Sequence, residues 1–193
     1  MPKVNRHGKA KIWSKPVIKL LRAQLKTDVH RLIFEISLYT GERMGAIVQL
    51  RSCDVYDKNG KVREAITFPS FTRKSSKHGL ANTRQIYIHP ALKVHLENYK
   101  HSGYGYLFPS PRDATKHITA RAVDDSWRKI LTEHGYYGYS THSSRRWVIN
   151  SLRKAGIELI TIAECMAIDI ATVRKYLDED PVACRKAIAT LSI

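Results

Sequence analysis

Metal chemistry is the first possibility that nine histidines and three cysteines raise, and their spacing argues against it. No His-Glu-x-x-His run and no paired Cys-x-x-Cys occurs, so no metal site is expected. Cys53, Cys165 and Cys184 are odd in number and lack close pairing, which reads as reduced structural residues rather than a disulfide framework. The remaining side chains suit phosphate binding, proton movement and nucleophilic attack. Arg43 follows a tight Thr40-Gly41 connection, and His142 and Arg145 stand three apart on one helical face. Lys74 and Lys77 lie in a basic loop, and Tyr176 lies near the C-terminal end. Guanidinium forks bind phosphate oxygens, lysine and histidine move protons, and a tyrosine hydroxyl can attack. Taken singly, each also has an ordinary role: a surface arginine, a capping histidine, a loop lysine, a tyrosine at the rim of a core.

The charge balance narrows the partner. Against 33 Lys and Arg stand 17 Asp and Glu, a net charge of +16 on 193 residues. Such a field attracts polyanions, whether DNA, RNA or an acidic membrane surface. No apolar run approaches the roughly 20 residues of a spanning helix, and the N-terminal MPKVNRHGKAK lacks the apolar core of a signal peptide. The expectation is a cytoplasmic, nucleic-acid-associated protein without membrane attachment. With 43% apolar residues the chain can bury one substantial core, and its length fits one domain better than two.

The elements follow from periodicity. Residues 1–15 hold Lys3, Arg6, Lys9, Lys11 and Lys15 with few apolar residues and read as a basic flexible arm or linker, leaving 16–193 as the folded domain. From Asp28, the expected N-cap, Val29, Leu32, Ile33 and Ile36 mark a helix that ends near Thr40-Gly41. Met44, Ile47, Val48 and Leu50 follow at once, so Arg43 starts the next helix. The period then changes: Ala65-Ile66-Thr67-Phe68 and Arg84-Gln85-Ile86-Tyr87-Ile88 alternate as strands of a hairpin, with Pro69 demanding an edge or bulge. Lys74 lies where the first strand enters a long polar loop. Helical spacing returns in Leu92, Leu96 and Tyr99, and in Val123, Trp127, Ile130 and Leu131 before Gly135, with a turn-rich connection at 103–111 between them. Ser140 to Gly156 reads as a helix capped by Ser140 or Thr141. Leu159, Ile162, Ala163 and Met166 mark another, and Ile170, Val173 and Leu177 a last one from near Asp169. At about 100° per residue, Tyr176 lies roughly 90° from the centre of that last stripe, free to face a cleft.

Three stretches in order, TGERMGAIVQLRSCDV, THSSRRWVINSLRKAG and ATVRKYLDE, resemble the first arginine box, the His-x-x-Arg box and the nucleophile box of tyrosine recombinases and phage integrases. The resemblance runs from about Val17 to about Asp180, with a lysine-bearing hairpin between the first two boxes. It implies the tyrosine recombinase catalytic-domain fold, mainly α with a small antiparallel β-sheet (α+β). It also implies a site-specific DNA strand transferase that needs neither metal nor ATP and takes no small-molecule cofactor. On that likeness Arg43 and Arg145 grip the scissile phosphate, and His142 contacts it and assists proton transfer. Lys74, with Lys77 as alternative, protonates the leaving 5′-oxygen, and Tyr176 attacks to form a 3′-phosphotyrosyl link. Tyr136, Tyr137 and Tyr139 are the next candidates for the nucleophile. The implied partner is double-stranded DNA, with self-association into a dimer or tetramer on it.

Two positions depart from the pattern. The usual second histidine or tryptophan falls at Ala167, and the acidic residue common three positions after the first arginine is Ala46. Losing one oxyanion-type donor costs about 10²–10³ in rate. A catalytically weak DNA-binding regulator with the same fold is therefore a second reading, and a plain RNA-binding protein a third, disfavoured by the lack of an aromatic stacking motif. The family commonly carries a separate DNA-clamping domain ahead of the catalytic one, so the chain is either a single-domain recombinase or a piece of a longer integrase. After Pro181, the residues Val182, Ala183, Ile188 and Leu191 are too few for a core and need a surface to cover, on the same domain or on a neighbouring protomer.

Overall fold

Apolar periodicity resolves into one large core over the first two thirds of the chain and a smaller one over the last third. The computed structural model describes residues 9–73, 82–177, 182, 185 and 188–190. Helices α1 (Lys15–Gln24) and α2 (Asp28–Thr40) open it. Helix α1 was not expected from the sequence; it buries Val17, Ile18 and Leu21 and has Pro16 in its first turn, where a missing N–H costs nothing. Thr27, rather than Asp28, caps α2, its hydroxyl accepting the His30 N–H, while Asp28 sits in the first turn. The two helices are tied by a bidentate pair in which Arg22 Nε and Nη2 each donate to Glu35 at 2.7 Å.

After the short helix α3 (Met44–Ile47) come strands β1 (Ala65–Phe68) and β2 (Arg84–Tyr87). They pair antiparallel in the expected hairpin, Ala65 opposite Tyr87 and Phe68 opposite Arg84, with Pro69 just beyond the ladder. Helix α4 (Pro90–Glu97) follows. A second two-stranded sheet, β3 (Pro109–Ser110) with β4 (Asp113–His117), adds to the single sheet expected from the sequence. Its strands bury no apolar face, so no alternation marks it. Helices α5 (Ala120–Glu133), α6 (His142–Lys154), α7 (Leu159–Met166) and α8 (Ile170–Tyr176) complete the described fold. The fold class is thus mainly α with small antiparallel sheets, and no described helix is long and apolar enough to cross a membrane.

The large core runs from Trp13 to Leu131, with Phe34, Phe68, Phe108 and Trp127 fully buried. The small one gathers Ile149, Ile162, Ala163, Met166 and Val173 from α6, α7 and α8. Helix α6 faces both, since its Trp147 packs on the first cluster and its Ile149 belongs to the second. Of residues 10–14, which fall in the stretch read from the sequence as a basic flexible arm or linker, Ala10 and Trp13 are buried. Trp13 is 2% exposed, stacks on Tyr139 at 5.2 Å and meets Phe34 and Trp127 edge-on. Its indole N–H donates to Ser144 Oγ at 2.9 Å, and the Lys11 N–H donates to the Gly138 carbonyl at 2.9 Å. A lone tryptophan among lysines carries no periodic signal, and only the pocket between α2, α5 and α6 explains its burial. Cys53 and Cys165 are free and exposed.

Candidate active site

The site begins where α2 stops. Gly41 takes the left-handed conformation (φ 59°), and a Cβ there would lie 2.9 Å from Met166 Cε and 3.0 Å from Val148 Cβ. Only glycine allows both the turn and the close approach of α6 and α7. The chain then presents Glu42 and Arg43, with Arg43 as the N-cap residue of α3, half-buried. Arg43, His142, Arg145 and Tyr176 line one cleft of about 670 Å³ together with Thr72 and Arg73. Four of the five residues singled out by the sequence therefore converge. The fifth, Lys74, lies outside the described residues, as does Lys77; its sequence neighbour Arg73 is in the cleft wall.

Helix α6 supplies two of the four. Its start is held by Asp124 of α5, whose carboxylate accepts the Thr141 N–H at 2.9 Å. The expected cap differs in detail: Thr141 makes no side-chain cap bond, and Ser143 Oγ instead accepts the Ser140 N–H at 3.1 Å. His142 is exposed at the cleft, and Arg145, one turn on, is 1% exposed. Arg145 donates from Nη1 to the Gly41 carbonyl at 2.9 Å and approaches Glu42 Oε1 at 3.5 Å. Its Nε and Nη2 have no protein acceptor among the described residues. Its guanidinium lies over the Tyr176 ring, 5.6 Å from the centroid, within the range of a cation–π contact. Burial pushes Arg145 down to about 10, against the pull of Glu42 and Tyr176, while Arg43 and Arg84 add to the depression. It remains a cation at neutral pH. Two buried donor nitrogens without an acceptor among the described residues, on a desolvated cation, are what phosphate oxygens would satisfy.

Glu42 went unnoticed in the sequence. Its side chain is fully buried and its Oε2 accepts from Arg84 Nη1 at 2.9 Å and Arg73 Nε at 3.2 Å, while Oε1 takes the Arg43 N–H at 2.7 Å. Burial pushes this carboxyl up, but Arg84, Arg145, the Arg43 N–H and Arg73 together hold it below its usual range. Ala46 lines the cleft without a carboxylate, and Glu42, directly before Arg43, lines it with one. Arg84 and Arg73, also overlooked, brace the site from β2 and from the turn after β1. Arg84 donates to the Cys165 and Thr40 carbonyls, and Arg73 to those of Asn82 and Ala167. A polar residue facing inward from a strand in an otherwise apolar pattern was the one available signal. Ala167 ends α7 in a left-handed conformation (φ 46°), exposed, and its methyl offers no hydrogen bond.

The profile of the phage integrase family matches residues 14–182. The chain belongs to the phage integrase family. Among solved structures, this integrase-family chain is similar to XerA recombinase at 18% identity and TM-score 0.69, over 98% of this chain and 66% of that one. It is likewise similar to the integrase from mycobacterium phage Brujita, at 19% identity and TM-score 0.61, over 89% of this chain and 55% of that one. The XerH site-specific recombinase bound to a palindromic difH substrate in a post-cleavage complex aligns at 17% identity and TM-score 0.67, over 97% of this chain and 55% of that one. At such identities the likeness speaks for the fold. The chain spans 55–66% of the length of these three relatives. No curated protein matches it by sequence.

Proposed function

We propose that residues 16–193 are the catalytic domain of a site-specific DNA recombinase of the integrase type, cleaving and rejoining double-stranded DNA through Tyr176. The observation that carries this is the meeting, in one cleft, of Arg43, His142, Arg145 and Tyr176 from distant parts of the chain, with buried donors of Arg145 lacking an acceptor among the described residues. In the reaction, the Tyr176 hydroxyl attacks phosphorus. An O–P bond to tyrosine forms, the bond from phosphorus to the 5′-oxygen breaks, and the leaving oxygen takes a proton from Lys74, or from Lys77 in the same loop. The tyrosine proton passes to a base, for which His142 stands at the cleft. Arg43 and Arg145 bind the non-bridging oxygens as charge builds on them. The phosphotyrosyl ester keeps the bond energy, so a second DNA hydroxyl can reverse the step without ATP. The +16 charge suits the duplex partner, and the relatives solved with DNA support it. Self-association on paired sites belongs to the same reading.

Ala167 favours a second reading, a DNA-binding regulator of weak activity, because that position contributes no donor to the phosphate. Covalent trapping separates the two. Incubated with nicked duplexes drawn from the DNA flanking its own coding sequence, the chain is expected to yield a protein–DNA adduct on a denaturing gel. Tyr176→Phe abolishes the adduct while leaving duplex affinity nearly unchanged, since it removes the nucleophile and little charge. An adduct that survives in Tyr176→Phe reassigns the nucleophile, first to Tyr136, Tyr137 or Tyr139.

A further inference from the structure

Tyr176 is the last residue of α8, a helix of seven residues whose terminal carbonyls lack intrahelical donors. The Tyr176 carbonyl finds donors on α6: Asn150 Nδ2 at 2.9 Å and Arg146 Nε at 3.3 Å. Both side chains are buried and stand one turn apart, on the helix that also bears His142 and Arg145. Arg146 also reaches elsewhere. Its Nη1 donates to the Ala10 carbonyl, in the strap of residues 10–14 docked beside α6. That strap hangs on Gly138 through the Lys11 N–H and on Ser144 through the Trp13 indole. One guanidinium therefore spans from the N-terminal strap to the main chain of Tyr176.

We infer that Arg146 and Asn150 are positioning residues for Tyr176, and that the docked strap acts on the nucleophile through Arg146. The inference rests on the reading of Tyr176 as nucleophile. A guanidinium presents its donors in a rigid plane, so an arm fixed on Ala10 fixes the direction of the arm on Tyr176. A lysine in its place has the charge but not the fork. Because the clamp and the phosphate grip share α6, the clamp holds Tyr176 at a set distance from Arg145. A misplacement of about 1 Å at a reacting group costs on the order of 10²-fold in rate, so a modest shift of the strap is amplified. Displacement of the strap, which carries Lys11 and follows Lys9, would alter cleavage without any contact to the cleft.

The test is single-turnover cleavage of a nicked duplex at saturating DNA by the full chain, with duplex affinity and thermal unfolding measured alongside. Asn150→Leu, which keeps the shape and removes the donor, is expected to slow cleavage about tenfold with duplex affinity within about twofold of wild type. Arg146→Lys gives the same pattern and serves if Asn150→Leu does not fold. Lys11→Pro removes the N–H that hangs the strap on Gly138, and Lys11→Ala controls for the lost charge. The rate ratio between those two variants is expected to be about tenfold in the otherwise wild-type chain and about one in the Arg146→Lys background. A wild-type chain that forms no adduct overturns the recombinase reading itself. A competent wild type with Asn150→Leu and Arg146→Lys at full rate overturns the positioning role. A Lys11→Pro effect that persists undiminished with Arg146→Lys overturns the link from the strap.

Discussion

Glu42 stands among Arg73, Arg84 and Arg145, and the energetics of the site turn on it. Three guanidiniums in one buried neighbourhood repel each other, and a single carboxylate that also holds the Arg43 N–H makes the arrangement tolerable. Glu42→Gln leaves those cations uncompensated and is expected to destabilise the fold by about 3–5 kcal/mol at neutral pH, measured by urea denaturation. The carboxyl is held below its ordinary 4.5, so its contribution is complete above that pH and is lost as pH falls through the lower folded value. The acid limb of the stability curve should therefore flatten in Glu42→Gln, and an unchanged limb would remove Glu42 from the account. Charge in the cleft and charge outside it should separate. Arg43→Ala and Arg145→Ala are each expected to reduce cleavage by about 10²–10³ or more. The double change of Lys9 and Lys11 to Ala mainly weakens binding and flattens its salt slope by up to about two. Equal effects on cleavage rate at saturating DNA would contradict the distinction.

Among the elements, α6 is the one on which the site is assembled. It carries His142 and Arg145, receives the Gly41 turn through Val148, and donates to Tyr176 from Arg146 and Asn150. Its face toward the strap is held by Ser144, which meets both the Trp13 indole and Ser37 Oγ at 2.9 Å. The tryptophan is therefore structural: Trp13→Ala is expected to cost about 3–5 kcal/mol, as for other buried aromatic truncations. Thermal or denaturant unfolding checks this, and a loss under about 1 kcal/mol would return residues 10–14 to the status of a free arm.

At the scale of the whole molecule, the proposed self-association on DNA can be tested through the C-terminal tail. Of the tail, Val182 and Ile188 are exposed apolar residues at 64% and 68%, and Pro181 lies outside the described residues. If this surface docks on a neighbouring protomer, deletion from Pro181 onward spares folding and binding to one site but reduces cooperative assembly on paired sites. On that reading cleavage changes as well, since the deleted segment begins a few residues after Tyr176. Gel shifts or sedimentation on one-site and two-site DNA read the difference. A truncated chain that assembles as well as the full one rules the intermolecular role out, and one that fails to fold places the tail on its own domain.

The local order of the chain was legible because it is written in periodic contacts. Val29, Leu32, Ile33 and Ile36 announce α2, the alternation at 65–68 and 84–88 announces the first hairpin, and the boxes around Arg43, Arg145 and Tyr176 announce the cleft. The tertiary structure alone decided the contacts between residues distant in sequence, which no periodicity encodes. Trp13 sits in a basic run yet fills a pocket where its partner, Ser144, is 131 positions away in sequence. The second hairpin buries no apolar face, so its pairing leaves no alternation to read. Glu42, Arg73 and Arg84 look like surface charges in the sequence, and only the packing of α2, β2 and α7 buries them together. A charge removed from water needs its partner in three dimensions, and the choice of that partner belongs to the fold.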